Sequence, residues 1–337
     1  MTPRTLRVLA ALAGALSCTG CSGWQSALDA HGLQAAHLLR LITFIVVVCT
    51  VVWILVLGAL AVALWRRRSG PSEPSDTGPA VERRLTVAVS SAVAVTAVVI
   101  AVFTAASYQT TRALSDLPSD ALTVKVRGYQ WWWEVSYQDP QSGRTLPSAN
   151  EIHVPAGRPV RFVLEAADVI HSFWVPSLAG KQDLIPGRTN EIAIMAQRAG
   201  IYRGQCAEFC GLQHAHMAFM VIAEEPAQFE AWATAQLQDA AAPTNPEQER
   251  GRQIFLTKAC AACHAIRGTP AAGTTGPDLT HIASRSTIAA GLLDTTRGSL
   301  AAWIADPQTL KPGNNMPMVP LAADELRAVS AYLASLK

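Results

Sequence analysis

Two long apolar stretches constrain the fold of this 337-residue chain more than any other feature. Residues 41–64 include no charged side chain, and neither do residues 85–106. At a rise of about 1.5 Å per residue, each forms a helix long enough to cross a hydrocarbon core about 30 Å thick. A soluble core helix of this length would carry a polar face, and neither stretch has one. The pattern predicts a transmembrane hairpin over residues 38–108, with helices at about 41–65 and 85–106.

Arginines on the connection between the two stretches predict its orientation. They stand at positions 66–68 and 83–84, and the positive-inside rule places such a connection in the cytoplasm. Everything after residue 106 then lies on the extracytoplasmic side. The formal net charge is only +2 and no basic stripe is present, which argues against a nucleic-acid partner.

The first 21 residues resemble an export signal. Arg4 and Arg7 precede a short apolar segment, as in secretory signal peptides. Cys18 and Cys21 follow it in a segment similar to a lipoprotein cleavage box, so either is a candidate for acylation. Ordinary cleavage just after this point is the alternative. We therefore expect residues 1–21 to be a signal peptide.

Short alternating segments replace the apolar stretches after the hairpin. They are separated by Pro/Gly turns and lie at residues 122–126, 151–154, 160–164, 191–194 and 218–222. Such spacing predicts an all-β sandwich or barrel over residues 120–237, closed by a short helix at 229–237.

The last part of the chain has a helical period. An Ala/Pro/Gln-rich linker occupies residues 238–246, and the best helical candidates follow at 249–256, 300–305 and 323–336. Residues 247–337 are therefore expected to form a small all-α domain.

Soft metal donors are concentrated between residues 206 and 217. Cys206, Cys210, His214 and Met217 offer two thiolates, an imidazole and a thioether, a set that suits copper. One thiolate would indicate a mononuclear site, whereas two thiolates four residues apart can bridge two ions. Each ion then needs its own imidazole, and His171 is the candidate for the second. A disulfide or a zinc site is the alternative for two exported cysteines.

Three segments closely resemble cytochrome c oxidase subunit II. They are GYQWWW at residues 128–133, HSFWVP at 171–176 and CAEFC at 206–210, the last followed by the donors up to Met217. The resemblance runs from about residue 31 to residue 236 and includes the membrane hairpin. It implies a cupredoxin-like β-sandwich that holds a dinuclear copper-A centre.

The same resemblance implies the copper-A ligands and a further metal site. The implied ligands are His171, Cys206, Glu208, Cys210, His214 and Met217. Both cysteines would bridge the two coppers. His171 and Met217 would complete one copper, and His214 with the backbone carbonyl of Glu208 would complete the other. The Glu208 carboxylate would reach a magnesium ion shared with subunit I.

Three consecutive tryptophans stand in the first of these segments. In a strand, Trp131 and Trp133 would share one face and Trp132 would take the other. In the family, an aromatic residue at this motif lies between the copper centre and the docked electron donor. The position that matches is Trp131, and we expect electrons to enter there. Core packing is the alternative role for these rings.

The C-terminal domain carries a c-type haem motif. Cys260 and Cys263 stand in a C-x-x-C-H sequence, which attaches haem through two thioethers and makes His264 an axial ligand. A methionine on the opposite face raises the reduction potential, as an electron carrier requires. Met316 lies in a loop that matches the Met-Pro loop of class I cytochromes c, and Met318 is its competitor.

Together these parts resemble the subunit II of caa-type haem–copper oxidases, in which a cytochrome c domain is fused to the C-terminus. The resemblance implies cytochrome-c oxidase, a proton-translocating oxidoreductase, in a bacterial inner membrane. Electrons would pass from haem c to copper-A and then to haem a and the haem–copper site of subunit I, where dioxygen is reduced to water. Subunits I and III would be partners, and a cytochrome c or a quinol–cytochrome c reductase would be the donor.

Two other functions use similar parts. Nitrous-oxide reductase has the same copper-A ligand pattern but needs a large His-rich propeller, and this chain has only eight histidines. A non-redox lipoprotein or quinol-oxidase-like subunit II lacks the copper ligands, which this chain has.

Glu82 resembles the acidic residue at the mouth of a proton channel in some oxidases, although a solvated flank beside Arg83 and Arg84 is an equal alternative.

Overall fold

The computed structural model describes residues 22–68, 78–114, 121–138 and 145–337. The predicted signal peptide, with Cys18 and Cys21, lies outside the described residues. The helices are α1 (Leu33–Arg68), α2 (Pro79–Leu114), α3 (Pro226–Gln236), α4 (Pro246–Thr257), α5 (Cys260–Cys263), α6 (Arg297–Ala305), α7 (Pro307–Leu310) and α8 (Ala323–Leu333). The strands are β1 (Leu122–Tyr129), β2 (Trp132–Gln138), β3 (Thr145–Ala149), β4 (Glu151–Pro155), β5 (Val160–Ala166), β6 (His171–Trp174), β7 (Gln182–Leu184), β8 (Asn190–Ile194), β9 (Gly200–Cys206), β10 (Ala218–Glu224), β11 (Thr287–Ile288) and β12 (Leu293–Asp294).

Helices α1 and α2 form a unit of their own over residues 37–116. Both are 36 residues long, and both are long and apolar enough to cross a membrane. The two predicted spans lie within them. Phe44 and Phe103 meet edge to face at 5.5 Å between ring centroids. Glu82 lies in the exposed first turn of α2.

A β-sandwich of two five-stranded sheets follows the hairpin. One sheet has the order β3-β2-β1-β5-β8 and the other β4-β10-β9-β6-β7. Large aromatic side chains fill the space between the sheets, with Trp133, Phe173 and Phe219 fully buried and the two phenylalanine rings stacked at 4.5 Å. The predicted all-β sandwich is confirmed.

Pairing within the second sheet brings distant segments to one end of the sandwich. Strand β6 begins at His171, and β9 ends at Cys206. The two strands are antiparallel, with Phe173 opposite Cys206. The sheet therefore places the start of one strand beside the end of another, where two of the predicted copper ligands stand.

The C-terminal domain is built on helices α4 and α8. Asn245 caps α4 by accepting a hydrogen bond from the Gln248 amide, and Pro246 occupies the first turn. A methyl group at Gly251 would lie 2.0 Å from the Ala328 carbonyl oxygen, so α4 can approach α8 this closely only with glycine here. The predicted helical domain is confirmed, with one short β-pair, β11–β12, added to it.

The predicted linker is fixed to the C-terminal domain. The Arg267 guanidinium donates to the carbonyl oxygen of Gln238 at 3.1 Å, and the Ala240 amide donates to the Arg267 carbonyl at 3.1 Å. His281 also contacts the Gln238 carbonyl at 3.1 Å. These bonds hold the start of the linker against the helical domain.

Candidate functional site

The predicted copper ligands meet at one end of the sandwich. The Cys206 and Cys210 sulfurs are buried and lie 3.7 Å apart. His171 Nδ1 lies 3.9 Å from the Cys206 sulfur, while His214 Nδ1 and the Met217 sulfur lie 3.7 and 3.8 Å from the Cys210 sulfur. The structure thus gathers two thiols, two imidazoles and a thioether, a set of donors that suits copper, in one cluster.

Glu208 presents its carbonyl and its carboxylate to different neighbours. Its carbonyl oxygen lies 3.2 Å from the Cys206 sulfur and joins the donor cluster. Its carboxylate accepts a hydrogen bond from Lys181 at 3.0 Å, and Lys181 also pairs with Asp183 at 2.9 Å. The carboxylate side of Glu208 therefore already has a cationic partner.

The hydrogen bond between the two thiols controls their protonation. That bond lowers the pKa of Cys206, and the same bond together with burial raises the pKa of Cys210. One thiolate forms readily, but the second sulfur keeps its proton unless a cation takes its place. This donor chemistry fits a bound metal.

Asp168 orients His171, the histidine that β6 contributes to this cluster. Asp168 Oδ1 lies 2.9 Å from His171 Nε2, which directs Nδ1 toward Cys206. Burial lowers the pKa of His171, but the hydrogen bonds with Cys206 and Asp168 outweigh it and raise the pKa overall. Sequence reasoning missed Asp168, although it stands only three residues before the histidine.

Trp131 lies in a turn, so the expectation that it shares a strand face with Trp133 is wrong. Strand β2 begins at Trp132, and Trp131 belongs to the turn that joins β1 to β2. Its indole N–H donates to the Cys210 carbonyl oxygen at 2.9 Å, and the Gln130 side chain donates to the same oxygen at 2.8 Å. Trp133 is a core residue, while Trp131 is bonded directly to the backbone of a candidate ligand.

A second cluster of candidate ligands lines a largely apolar cavity. Cys260, Cys263, His264 and Met316 all face it. His264 Nδ1 lies 2.8 Å from the Pro277 carbonyl oxygen, so Nε2 is the ring nitrogen available to a metal. Burial lowers the pKa of His264 and favours the neutral imidazole that metals bind.

The two candidate methionines differ in their surroundings. Met316 is partly buried and packs against the core of the C-terminal domain. Its amide donates to Asn314 Oδ1 at 2.8 Å, and its carbonyl accepts from Gln308 at 2.8 Å. Met318 is 58% exposed, and it is not among the residues that line the cavity.

A buried cation also lines this cavity and was missed from the sequence. Arg285 is 9% exposed, and it donates to the Asp278 carbonyl oxygen at 2.6 Å. Burial lowers its pKa, but a guanidinium remains charged. An isolated arginine gives no sequence signal, so only the fold identifies it.

The cavity is closed on one side by the β-sandwich. Trp131 and Trp132 line it together with the haem-motif residues of the C-terminal domain. Further along the same interface, the Ala218 amide donates to the Ala290 carbonyl at 3.0 Å. The two domains are thus in direct contact beside both candidate ligand clusters.

A buried carboxylate strengthens this interface. Glu151 accepts hydrogen bonds from the Ser286 amide at 2.8 Å and from the Ser286 hydroxyl at 2.5 Å. Burial raises the pKa of Glu151, but the hydrogen bonds from His153 and Ser286 outweigh it and hold the pKa below its usual range. His153, a residue of β4, lies between Glu151 and Glu224 and stacks on Trp232 at 4.1 Å.

Two family descriptions match successive parts of the chain. Residues 140–224 match "Cytochrome C oxidase subunit II, periplasmic domain", and residues 248–337 match "Cytochrome c". The first match covers most of the sandwich and the second covers the helical domain.

Individual relatives carry the name of the first of these two families. Cytochrome c oxidase subunit 2 of Alkalihalophilus pseudofirmus is 35% identical over 326 residues, which cover 95% of this chain and 93% of that protein. Cytochrome c oxidase subunit 2 of Bacillus sp. strain PS3 is 36% identical over 241 residues, which cover 67% of this chain and 66% of that protein. The crystal structure of the periplasmic domain of subunit II of cytochrome oxidase (CoxB) of Bradyrhizobium japonicum is 33% identical, covers 36% of this chain and 96% of its own, and has a TM-score of 0.34.

Proposed function

Because the chain belongs to the cytochrome c oxidase subunit 2 family, we propose that it takes electrons into its C-terminal domain and delivers them through the β-sandwich to subunit I. When bound, haem c and the dinuclear copper-A centre would supply the one-electron relays. Electrons would then pass to haem a and the haem–copper site of subunit I, where dioxygen would be reduced to water with proton pumping. The observation that carries this proposal is the position of Trp131. It lines the Met316 cavity and bonds to the Cys210 carbonyl.

The residues that would hold copper-A lie close together and offer sulfur, imidazole and one carbonyl oxygen as donors. They are His171, Cys206, Glu208 through its carbonyl, Cys210, His214 and Met217. Both sulfurs would bridge the ions. His171 and Met217 would complete one copper, and His214 with the Glu208 carbonyl the other. Support for this comes from the two buried sulfurs, which lie 3.7 Å apart with an imidazole or a thioether within 3.9 Å of each.

The residues that would hold haem c surround the apolar cavity. Cys260 and Cys263 would form the thioethers, and His264 would be the axial ligand through Nε2. Met316 would be the second axial ligand, and its partly buried position supports it over the exposed Met318. The hydrogen bond to the Pro277 carbonyl orients the His264 ring, and burial favours its neutral form.

The Glu208 carboxylate is the proposed magnesium ligand. It is 46% exposed and pairs with Lys181, which is also exposed. An exposed ion pair of this kind contributes little to stability, so a divalent cation can displace Lys181 at low cost. Subunit I would supply the remaining ligands of such an ion.

The two apolar helices and the family place the chain in a membrane. We further propose that this is the bacterial inner membrane, with the sandwich and the helical domain on the periplasmic side. Subunits I and III are the proposed partners, and a cytochrome c or a quinol–cytochrome c reductase is the proposed donor.

Flash-induced oxidation of haem c in the assembled oxidase tests the function and the role of Trp131. Trp131→Phe keeps a packed ring but removes the N–H bond to the Cys210 carbonyl, which retains its bond from Gln130. We expect slower haem c oxidation with unchanged copper-A absorption in the near infrared. Trp232→Phe, which changes a tryptophan that stacks on His153 and is not among the residues that line the cavity, is the matched control and should leave the rate unchanged.

The proposed electron path and the proposed role of Trp131 are contradicted by different results. If haem c in the wild-type complex is not oxidised before electrons reach subunit I, the proposed electron path is wrong. If Trp131→Phe and Trp232→Phe both react at the wild-type rate, electrons enter elsewhere and Trp131 serves packing.

A further inference from the structure

A buried lysine lies where the two domains meet. Lys311 is only 2% exposed. Its ammonium donates hydrogen bonds to three backbone carbonyl oxygens: Trp131 at 2.8 Å, His216 at 2.8 Å and Ala289 at 3.0 Å. An ammonium has three N–H donors, so each donor finds one acceptor.

The acceptors belong to different parts of the molecule. Trp131 lies in the β1–β2 turn, and His216 lies on the loop between the candidate copper ligands His214 and Met217. Only Ala289 belongs to the C-terminal domain that carries Lys311. Two of the three bonds therefore join the domains, which a lysine needed only for folding its own domain would not require.

Burying an ammonium without a carboxylate partner is costly. Burial lowers the pKa of Lys311 to about 7. The three carbonyl dipoles offset part of this cost, and the bonds to Trp131 and His216 form only while the domains stay together. The contacts across the interface therefore explain why a lysine is buried at position 311.

Neighbouring residues extend the same contact. The Gln213 side chain donates to the Pro312 carbonyl oxygen at 2.8 Å, and the Asn315 side chain lies 3.4 Å from the Gln130 carbonyl oxygen. Met316 follows directly in the chain. The loop that carries the proposed axial methionine is thus held against the sandwich at several points.

We propose that Lys311 is a positioning residue that holds the Met316 loop on the Trp131 turn, so that the two domains remain docked while electrons pass between them. This inference rests on the proposed function, since the electron path is what the docking would serve. The docking itself can be measured independently of that path.

Amide hydrogen exchange in the full-length chain within the oxidase complex measures the docking. The reporters are the Ala218 and Ser286 amides, whose acceptors lie across the interface. In Lys311→Met we expect both to exchange about tenfold faster or more, because two buried carbonyls of the sandwich lose their donor. The Met220 amide, which bonds to Asn150 within the sandwich, should keep its wild-type rate.

Electron transfer gives a second readout that a purely structural role would not change. Transfer within a docked pair does not depend on solvent viscosity, whereas transfer that waits for domains to meet does. Haem c oxidation in Lys311→Met should become viscosity-dependent with normal haem and copper spectra. Lys337→Met, which removes the same charge from an exposed position of the same domain, should behave as wild type.

Each outcome decides between specific alternatives. Wild-type exchange and viscosity-independent oxidation in Lys311→Met would overturn the proposal, as would faster exchange that includes Met220. Faster exchange at the interface in a complex without haem c-to-copper-A transfer would support docking and reject the proposed function. If Lys311→Met does not accumulate, Ser286→Ala, which removes one hydroxyl bond to Glu151, should still speed exchange at Ala218, and an unchanged rate there would count against a docked interface.

Discussion

Replacing Gly276 by alanine would perturb the proposed haem site through a single methyl group. A Cβ at this position would lie 2.6 Å from Cε1 and 2.9 Å from Nδ1 of His264. Ordinary contacts of a Cβ lie at 3.4–4 Å, so the ring would have to move by about 0.8 Å. That movement is enough to break the 2.8 Å hydrogen bond between His264 Nδ1 and the Pro277 carbonyl.

The expected loss of stability follows from the steric clash and from the broken hydrogen bond. Overpacking of a well-packed site costs about 1–3 kcal/mol. The lost hydrogen bond adds about 1 kcal/mol. Gly276→Ala should therefore destabilise the haem-loaded C-terminal domain by about 2–4 kcal/mol.

Gly298→Ala is the matched control in the same domain. Its nearest neighbour would be Thr296 Oγ1 at 3.8 Å, so the methyl group has room. Gly298 lies within α6, where alanine is favoured over glycine by about 0.5–1 kcal/mol. The same chemical change should therefore be neutral or stabilising here and destabilising at Gly276.

Denaturant titration of the full-length, haem-loaded chain, followed by haem absorbance, measures both changes. The near-infrared Met–iron band reports whether the axial ligands stay in place. If Gly276→Ala loses its haem spectrum at the same denaturant concentration as Gly298→Ala, with the band intact, the proposed pairing of His264 with Pro277 is not what holds the ligand.

Three further predictions concern the copper site, the haem ligand and the interface. Cys210→Ser should lose the dinuclear copper absorption and lower the copper-to-protein ratio, and an unchanged ratio would contradict the bridging role. Met316→Leu should abolish the near-infrared Met–iron band while Met318→Leu keeps it, and the reverse result would exchange the two assignments. Because the folded-state pKa of Glu151 is lowered, its contribution to stability is present above the ordinary carboxyl pKa and is lost as pH falls through the lowered value. Exchange of the Ser286 amide relative to its intrinsic rate should therefore rise on acidification over that window, and a pH-independent ratio would show that the carboxylate charge does not stabilise the contact.

Local spacing explains why the copper ligands could be predicted from the sequence. Cys206 to Met217 are close enough in the chain that one loop gathers them, and the structure places them within hydrogen-bonding or contact distance. His171 is remote in sequence, and it was identified because each copper needs its own imidazole and because its segment resembles the family. Asp168, which orients it, lies just before β6 but carries no sequence pattern of its own.

Strand periodicity failed at the tryptophan run for a physical reason. Consecutive aromatics carry none of the Gly, Pro, Asn or Asp residues that mark a turn, so the pattern indicated no turn at Trp131 and a strand conformation was considered for residues 131–133. The structure instead ends β1 at Tyr129 and starts β2 at Trp132. Strand β3 escaped prediction because it contains Pro147, which weakens a strand pattern.

Contacts between domains could not be read from the sequence at all. Lys311 and Trp131 are 180 positions apart, and Glu151 and Ser286 are 135 apart. A lysine or serine in a loop ordinarily faces solvent, and only the docked arrangement gives these residues partners. The sequence predicted a tether between the domains, and the structure adds direct bonds across the interface.

The hydrogen bonds between the two domains distinguish this chain from an oxidase that captures a diffusing electron donor. Residues 247–337 carry nine Lys/Arg and seven Asp/Glu, which leaves no strong charged face for long-range steering. The described interface instead uses backbone carbonyls, one buried ammonium and one buried carboxylate. Salt screens exposed charges separated by more than about 8–10 Å but acts weakly on short, buried hydrogen bonds. Electron transfer between the fused domains should therefore be insensitive to ionic strength, whereas a step in which an external donor reaches the chain would keep whatever salt dependence that donor's own surface imposes.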